Sequence, residues 1–228
     1  MQLRFASCNI LFDDGKSKPG WQLRSGLLRD SILEWQPDIL ATQEGRKEQL
    51  FQLRDLLAPD YELLDAHRDW HDVKMYPCLF VRRDKFVCRG SYDRWLSETP
   101  EIAHSQSFGS RWPKLANLAC LEAGGQDFTV ASFHFDNVEA KARPRQAEVL
   151  LREMAKVGKA GPGFLLGDAN DLASSDTLQI IRSGGYQDPW SWQPQPHTFH
   201  GFSAPEGGVR IDYILHKGDV ILKNTFCL

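Results

Sequence analysis

Apolar residues recur along the chain in short runs and at helical intervals, separated by clusters of turn formers. The run Arg4-Phe5-Ala6-Ser7-Cys8-Asn9-Ile10-Leu11-Phe12 ends in Asp13-Asp14-Gly15-Lys16-Ser17-Lys18-Pro19-Gly20, which predicts a buried strand leading into a loop. Between Trp21 and Trp35, the apolar positions Leu23, Leu27, Leu28, Ile32 and Leu33 follow helical spacing, and Pro37 stops the pattern. Residues 37–44 predict a short buried strand with Glu44 at its C-terminal end. Residues 46–57 predict a second helix, with Leu50, Leu53, Leu56 and Leu57 on its apolar side.

Further on, residues 78–81 and 85–88 predict a hairpin turning at Arg82-Arg83-Asp84, and residues 115–121 and 127–135 predict another, joined through Gly124-Gly125. A helix is expected over 143–156, a short core strand at Phe164-Leu165-Leu166 ending in Gly167-Asp168-Ala169-Asn170, and a short helix over 177–182. Strands are expected over 209–215 and 219–227. Helices interleaved with hairpins predict two packed sheets with helices outside, an α/β layered domain rather than alternating βαβ units. The chain carries no tandem repeat of solenoid period and no low-complexity tract.

Composition narrows the class without changing this picture. With 228 residues, 42% hydrophobic and 25% charged, disorder, collagen-like repeats and a disulfide-stapled miniature are excluded, and one domain spanning 1–228 is expected. A formal net charge of −3 provides no global positive field for nucleic acid, so a phosphate-bearing substrate needs local help from a metal or a few cationic side chains. The cysteines Cys8, Cys78, Cys88, Cys120 and Cys227 are odd in number and scattered, without C-x-x-C or zinc spacing, which fits a reducing, cytoplasmic compartment. Met1 leads directly into the strand-like residues 2–10, and no stretch reaches the roughly 18 apolar residues of a membrane span, so neither a leader nor a span is expected.

The chemistry-bearing pattern is polar residues placed where core strands end. Asn9, Glu44, His134 with Asp136, Asp168 with Asn170, and Asp212 each lie inside or just beyond an apolar run, where burial is costly without a partner. Any one of them alone reads as a turn or capping residue. Converging on one sheet edge, they would make a metal and phosphate site, with oxygen ligands suited to a hard ion such as Mg²⁺ or Mn²⁺.

Cys8-Asn9-Ile10, Gln43-Glu44, Trp95-Leu96-Ser97-Glu98-Thr99-Pro100, Phe133-His134-Phe135-Asp136, Gly167-Asp168-Ala169-Asn170, Thr198-Phe199-His200-Gly201-Phe202 and Arg210-Ile211-Asp212-Tyr213-Ile214 follow one another in this order. The set resembles the motifs of the endonuclease/exonuclease/phosphatase family, which includes nucleases, sphingomyelinases and inositol polyphosphate phosphatases, and it resembles the small bacterial branch in particular. The resemblance implies a four-layer α/β/β/α sandwich and a divalent-metal-dependent phosphoesterase. It implies that Glu44 binds the catalytic Mg²⁺ (or Mn²⁺), with Asn9 beside it. Asp168 and Asn170 would orient the attacking water, His134 would donate to the phosphoryl group or leaving oxygen, and Asp212 would orient a second histidine. Lys114, Asn137 and His200 are the matching candidates for substrate contact.

Two departures from the family pattern stand out. The closing Ser-Asp-His is absent from the given chain, so the domain is expected to lack its last loop and strand, and His216 is a poor substitute. Ala169 stands where the family usually has Phe, a change of packing rather than chemistry. The aromatic stretches around Trp70-His71, Trp95, Trp112 and Trp190-Ser191-Trp192 read as packing or as walls for a base or sugar. Arg143, Arg145 and Arg152, with Glu148 and Glu153, read as a solvated helix face. The expected activity is hydrolysis of a phosphodiester, in a small diester or short nucleic acid, by in-line attack of water. The alternatives are a phosphomonoesterase acting on a phosphorylated sugar or inositol, and a catalytically weakened binding protein. No protein partner is inferred.

Overall fold

The computed structural model describes residues 1–16, 19–65, 68–158, 161–191, 195–199, 201 and 208–227. Along these residues run β1 (Phe5–Asn9), α1 (Trp21–Trp35), β2 (Ile39–Gly45), α2 (Lys47–Leu57), β3 (Tyr61–Leu63), β4 (Tyr76–Arg82), β5 (Val87–Trp95), β6 (Leu115–Ala123), β7 (Gln126–His134), α3 (Ala142–Val157), β8 (Gly163–Asp168), α4 (Asp176–Ser183) and β9 (Asp212–Lys217). One sheet has the order β1-β2-β4-β3 and the other β5-β6-β7-β8-β9. Each mixes parallel and antiparallel pairs.

Three apolar interfaces separate four layers. Leu40, Phe80 and Tyr61 pack against Trp21, Ile32, Leu50 and Leu53, closing α1 and α2 over the first sheet. Leu118, Ala131, Phe133 and Leu165 pack against Leu150, Met154, Leu178 and Ile181 under α3 and α4. Between the sheets lie Ile39, Ala41, Leu79, Val81, Ala119, Leu121, Phe128, Val130, Phe164 and Leu166. The expected α/β/β/α sandwich is therefore what the chain forms.

Period-2 alternation carries the inter-sheet face along each strand to a polar terminus. Phe128 and Val130 face the other sheet, so Ser132 and His134 do as well; Phe164 and Leu166 place Asp168 on the same face. Phe5 packs there too, which directs Ser7 and Asn9 inward. Register then aligns the ends, with His134 opposite Asp168 and Asp168 opposite Asp212.

Glu44 breaks the alternation. Ile39 and Ala41 face the other sheet and Leu40 faces the helices, so regular pairing would turn Glu44 toward the helices with Leu40. The register shifts between Thr42 and Gly45, and Glu44 takes φ 62°, in the left-handed region. This bulge re-aims the carboxylate, a local strain of the kind that collects at functional positions.

Several expectations need correction. Residues 78–81 and 85–88 do not form a hairpin: β4 is already flanked by β2 and β3, so the chain crosses to the other sheet and β5 pairs with β6. The second hairpin forms, through Gly124 and Gly125 with φ of 58° and 80°, as a two-residue primed turn requires. On α1 the buried positions are Trp21, Ser25 and Ile32, while Leu23, Leu27 and Leu33 are exposed. The face is chosen by polar anchors: Trp21 donates to Gln52, and Arg24 to the carbonyls of Ile10 and Leu11. Residues 219–227 form no strand, and Phe226 instead sets its ring 4.8 Å from that of Trp35. The three-residue edge strand β3 is too short to reveal alternation in sequence.

Gly167 allows the close approach of β7 and β8. A Cβ there would lie 2.0 Å from the Phe133 carbonyl oxygen, which belongs to a paired backbone that cannot yield. Gly167→Ala is expected to cost about 1–3 kcal/mol of unfolding free energy, as overpacking typically does. Urea denaturation checks this, and an unchanged midpoint would remove the close-approach argument.

Candidate active site

The polar strand ends meet at one edge of the sandwich. The Asn9 Nδ2 group donates to Glu44 Oε1 at 3.0 Å and to Asp168 Oδ2 at 3.1 Å, tying a carboxylate of each sheet to one amide. The Leu11 backbone N–H donates to Asn9 Oδ1, which fixes that orientation and turns the amide nitrogen, not the oxygen, to the carboxylates. His134 Nε2 is buried without a hydrogen-bond partner among the described residues, 3.9 Å from both Glu44 Oε1 and Asp168 Oδ2. Donor atoms of Glu44, His134 and Asp168 lie within 4.8 Å of one another.

Beyond Asp168 the chain turns sharply. The Asn170 backbone N–H donates to Asp168 Oδ1 at 2.8 Å, its side-chain amide donates to the Phe135 carbonyl at 3.1 Å, and its φ is 50°. Asn170 thus laces the ends of β7 and β8 together. Asp212 opens β9, with Oδ1 buried and unpartnered among the described residues. Its backbone N–H and that of Ile211 donate to Thr198 Oγ1, and Arg210, in a buried bidentate pair with Asp188, points Nε at its carbonyl.

A second polar network holds the loop that delivers Lys114. Burial would raise the pKa of Asp136, but the Ser110 hydroxyl and the backbone N–H groups of Glu139, Val138 and Arg111 hold it below the ordinary range. Gln146 closes the arrangement by accepting from the Asp136 N–H and donating to Ser110 Oγ. Lys114 is buried where the carboxylates of Asp136, Glu44 and Asp168 attract its charge, yet burial outweighs them and lowers its pKa. Burial, with Lys114 second, also holds His134 neutral well below the usual histidine range. Asp168 and Asp212 shift upward, mainly through burial, and Asp212 also through the charge of Asp168.

Of the residues singled out in the sequence, Asn9, Glu44, His134 and Asp168 make direct or near contact, Asp212 pairs in register with Asp168, and Lys114 lies in reach of their charges. Asn137 is exposed on the turn after Asp136. His200 lies outside the described residues. Trp70 packs edge-on against Phe51 and Tyr76, Trp95 lies against His104, and Trp112 is exposed. Ser110 and Gln146 carried no sequence signal, since neither ends a strand. The solvated face expected on this helix holds for Arg145, Glu148 and Arg152, which are half-exposed, but not for Glu153, which is fully buried against Arg94, nor for Arg143, whose side chain is largely shielded beside the site.

The donors suit a divalent cation. Glu44 and Asp168 offer hard oxygens, and His134 Nε2 is a buried nitrogen with no hydrogen-bond partner among the described residues, a set that Mg²⁺ accepts in part and Mn²⁺ in full. The sequence model of the Endonuclease/Exonuclease/phosphatase family matches residues 6–228. The chain belongs to this family. Among solved structures, the family member from Bacteroides vulgatus is 27% identical, with TM-score 0.85 over 94% of this chain and 87% of that one. The mannosyl-6-phosphatase of Bacteroides thetaiotaomicron is 26% identical, with TM-score 0.84 over 96% and 86%. The human Nocturnin catalytic domain, solved with a bound sulfate anion, shares the fold at 20% identity and TM-score 0.72, over 92% and 79%. No curated protein matches the sequence. Among the described residues no helix is long and apolar enough to cross a membrane.

Burying the Asp212 carboxylate here, close to that of Asp168, carries a cost that pH reveals. Because the Asp212 pKa is raised on folding, the folded chain keeps a proton that the unfolded chain gives up. Its carboxylate therefore costs nothing at pH below about 4, and destabilises increasingly as pH rises toward neutrality. Asp212→Asn should gain stability over the parent across that interval. Urea midpoints of both proteins, metal-free, at about pH 5 and about pH 8 measure the difference; a pH-independent difference would contradict the assignment.

Proposed function

We propose that this chain is a divalent-metal-dependent hydrolase of phosphate esters. The observation that carries the reading is the convergence of Glu44, His134 and Asp168, bridged by Asn9, at one sheet edge. Glu44 and Asp168 would hold Mg²⁺ or Mn²⁺, with His134 Nε2 beside them. Such an ion supplies positive charge to the phosphoryl oxygens. Asp168, held in place by Asn9 and the Asn170 N–H, takes the proton of the attacking water. His134, neutral at physiological pH, hydrogen-bonds the phosphoryl group or the leaving oxygen. Lys114 offsets phosphate charge from within the loop braced by Asp136, and Asp212 steadies the far side of the site.

Our first reading is a phosphodiester, and the net charge of −3 favours a small diester or short oligonucleotide over long duplex DNA. A second reading has its own support. A monoester dianion carries one more negative charge than a diester, and the buried Lys114 ammonium is placed to offset it. The similarity to a mannosyl-6-phosphatase points the same way, toward a phosphorylated sugar.

Turnover of an aryl phosphodiester and the matching aryl monoester, side by side with Mg²⁺ or Mn²⁺, separates these readings. Hydrolysis of at least one ester, abolished by chelation, is expected, and the preferred ester names the bond. Turnover of neither would leave a binding protein. Glu44→Gln should lower kcat by at least about 10²-fold, the scale of a lost transition-state interaction, and weaken Mn²⁺ binding at least about tenfold, ~1.4 kcal/mol. Unchanged Mn²⁺ affinity in calorimetry would refute the ligand role.

A further inference from the structure

Arg143 lies in the first turn of α3, where its sequence neighbours Arg145 and Arg152 keep 56% and 50% of their side-chain surface in water. Arg143 keeps 14%. Its Nη1 donates to the Asp136 carbonyl at 3.2 Å, two residues past His134, and its buried Nε lies 3.3 Å from Asp171 Oδ2, directly after Asn170, as an ion pair without a hydrogen bond. The same Asp171 carboxylate accepts the Thr177 hydroxyl at 2.7 Å from α4, and the Asp171 carbonyl accepts the Tyr213 hydroxyl at 3.0 Å, one residue past Asp212. A single guanidinium therefore spans the turns leaving β7 and β8, and reaches the start of β9 through Asp171.

We propose that Arg143 is a positioning residue, which through Asp171 holds the His134 imidazole in register with the carboxylates of Asp168 and Asp212. Sheet pairing ends at the level of His134 and Asp168, and beyond it the chain turns away on both strands. The only other ties between the two exits are the Phe135 N–H to the Asp168 carbonyl at 3.0 Å and the Asn170 amide to the Phe135 carbonyl at 3.1 Å, among the described residues. These fix the backbone beside the site but not the turns that follow. The Arg143–Asp171 pair closes that gap with a charged, largely buried contact. Removing the guanidinium leaves the largely buried Asp171 carboxylate with only neutral donors, the Thr177 hydroxyl and the Leu172 N–H, so the turns shift to hydrate its charge. A shift of a few tenths of an ångström would change the 3.9 Å spacing of His134 Nε2 from Asp168 Oδ2. A lysine at 143 could keep the charge, but its single ammonium cannot span Asp136 and Asp171 as a planar fork does.

The kinetic arm of the test rests on the phosphate-ester reading, while the ion-binding arm does not. Mn²⁺ affinity by calorimetry, and kcat and KM for the better aryl phosphate, are compared in the parent, Arg143→Met, Arg143→Lys, Asp171→Asn and the Arg143→Met/Asp171→Asn double variant. Thermal melting verifies that each is folded, and Asp171→Asn, the most conservative change, keeps the test available if Arg143→Met is not. Expected are a loss of Mn²⁺ affinity of about fivefold or more and a fall in kcat of about tenfold or more, with KM within about twofold, as follows from misplaced rather than missing groups. Arg143→Lys should recover part of the loss, and the double variant should be no worse than the worse single one. Parental Mn²⁺ affinity and kcat in folded Arg143→Met, or additive losses in the double variant, would overturn the proposal. If the parent hydrolyses neither ester while Mn²⁺ affinity responds as described, the phosphate-ester reading falls and the positioning role stands.

Discussion

One side-chain amide holds the two halves of this molecule at the place where its chemistry sits. Asn9 belongs to the first sheet, Asp168 to the second, and Glu44 to a strand beside Asn9; the Asn9 nitrogen donates to both carboxylates. Two carboxylates brought this near in a buried place repel, and neither can be left without a donor. Hydrogen bonds to charged groups contribute about 1.5–3 kcal/mol each, so this bridge sets the spacing at which the sheets can close. It also makes an ion site out of strand ends that would otherwise push one another apart.

The rest of that edge is braced by guanidinium groups. Where chains leave strands, backbone carbonyls lose their ladder partners and need donors. Arg24 donates to the carbonyls of Ile10 and Leu11, Arg46 to Asp13, Arg143 to Asp136 and Arg210 to Asp212. Each arginine comes from another part of the chain and meets a turn at the edge where the acidic strand ends gather. Fixed cations around a ring of acidic groups also moderate the field there without entering the ion's own set of donors. Asp188 does the same for Arg210, enclosing its charge in a two-fold hydrogen-bonded pair between the Trp190 and Tyr213 rings.

The sequence shows how such an edge can be read and where reading stops. Strand-end polar residues stood out because Asn9, His134, Asp168 and Asp212 lie inside or just beyond apolar runs, and the structure brings these strand ends to one edge. Glu44 stood out in the same way, at the end of the run 37–44, but its inward aim depends on a bulge that no period-2 pattern can show. Arg143 and Arg145 look equivalent in sequence, two positions apart on one helix, and only the packing of two distant turns distinguishes them. The false hairpin at 82–84 failed for a related reason: local pairing signals cannot reveal that both edges of β4 are taken.

The seam between the sheets changes character along its length. At the far end it is dry, with Ile39, Val81, Phe128 and Phe164 in contact; toward the site Gln43 bonds Ser132 and Ser7, Ser132 bonds the Thr42 carbonyl, and Gln43 Oε1 lacks a partner among the described residues. Apolar contact resists separation over its whole area, whereas a few imperfect hydrogen bonds give way more easily when water enters. The sandwich is thus fastened like a book bound at the spine, and its breathing is concentrated at the fore-edge that holds the acidic groups. Amide protons of β2 should exchange faster from Thr42 onward than at Ile39 to Ala41, a gradient that uniform protection along the strand would rule out. A divalent ion gripping both sheets at that fore-edge would act as a clasp, coupling occupancy of the site to the rigidity of the whole seam.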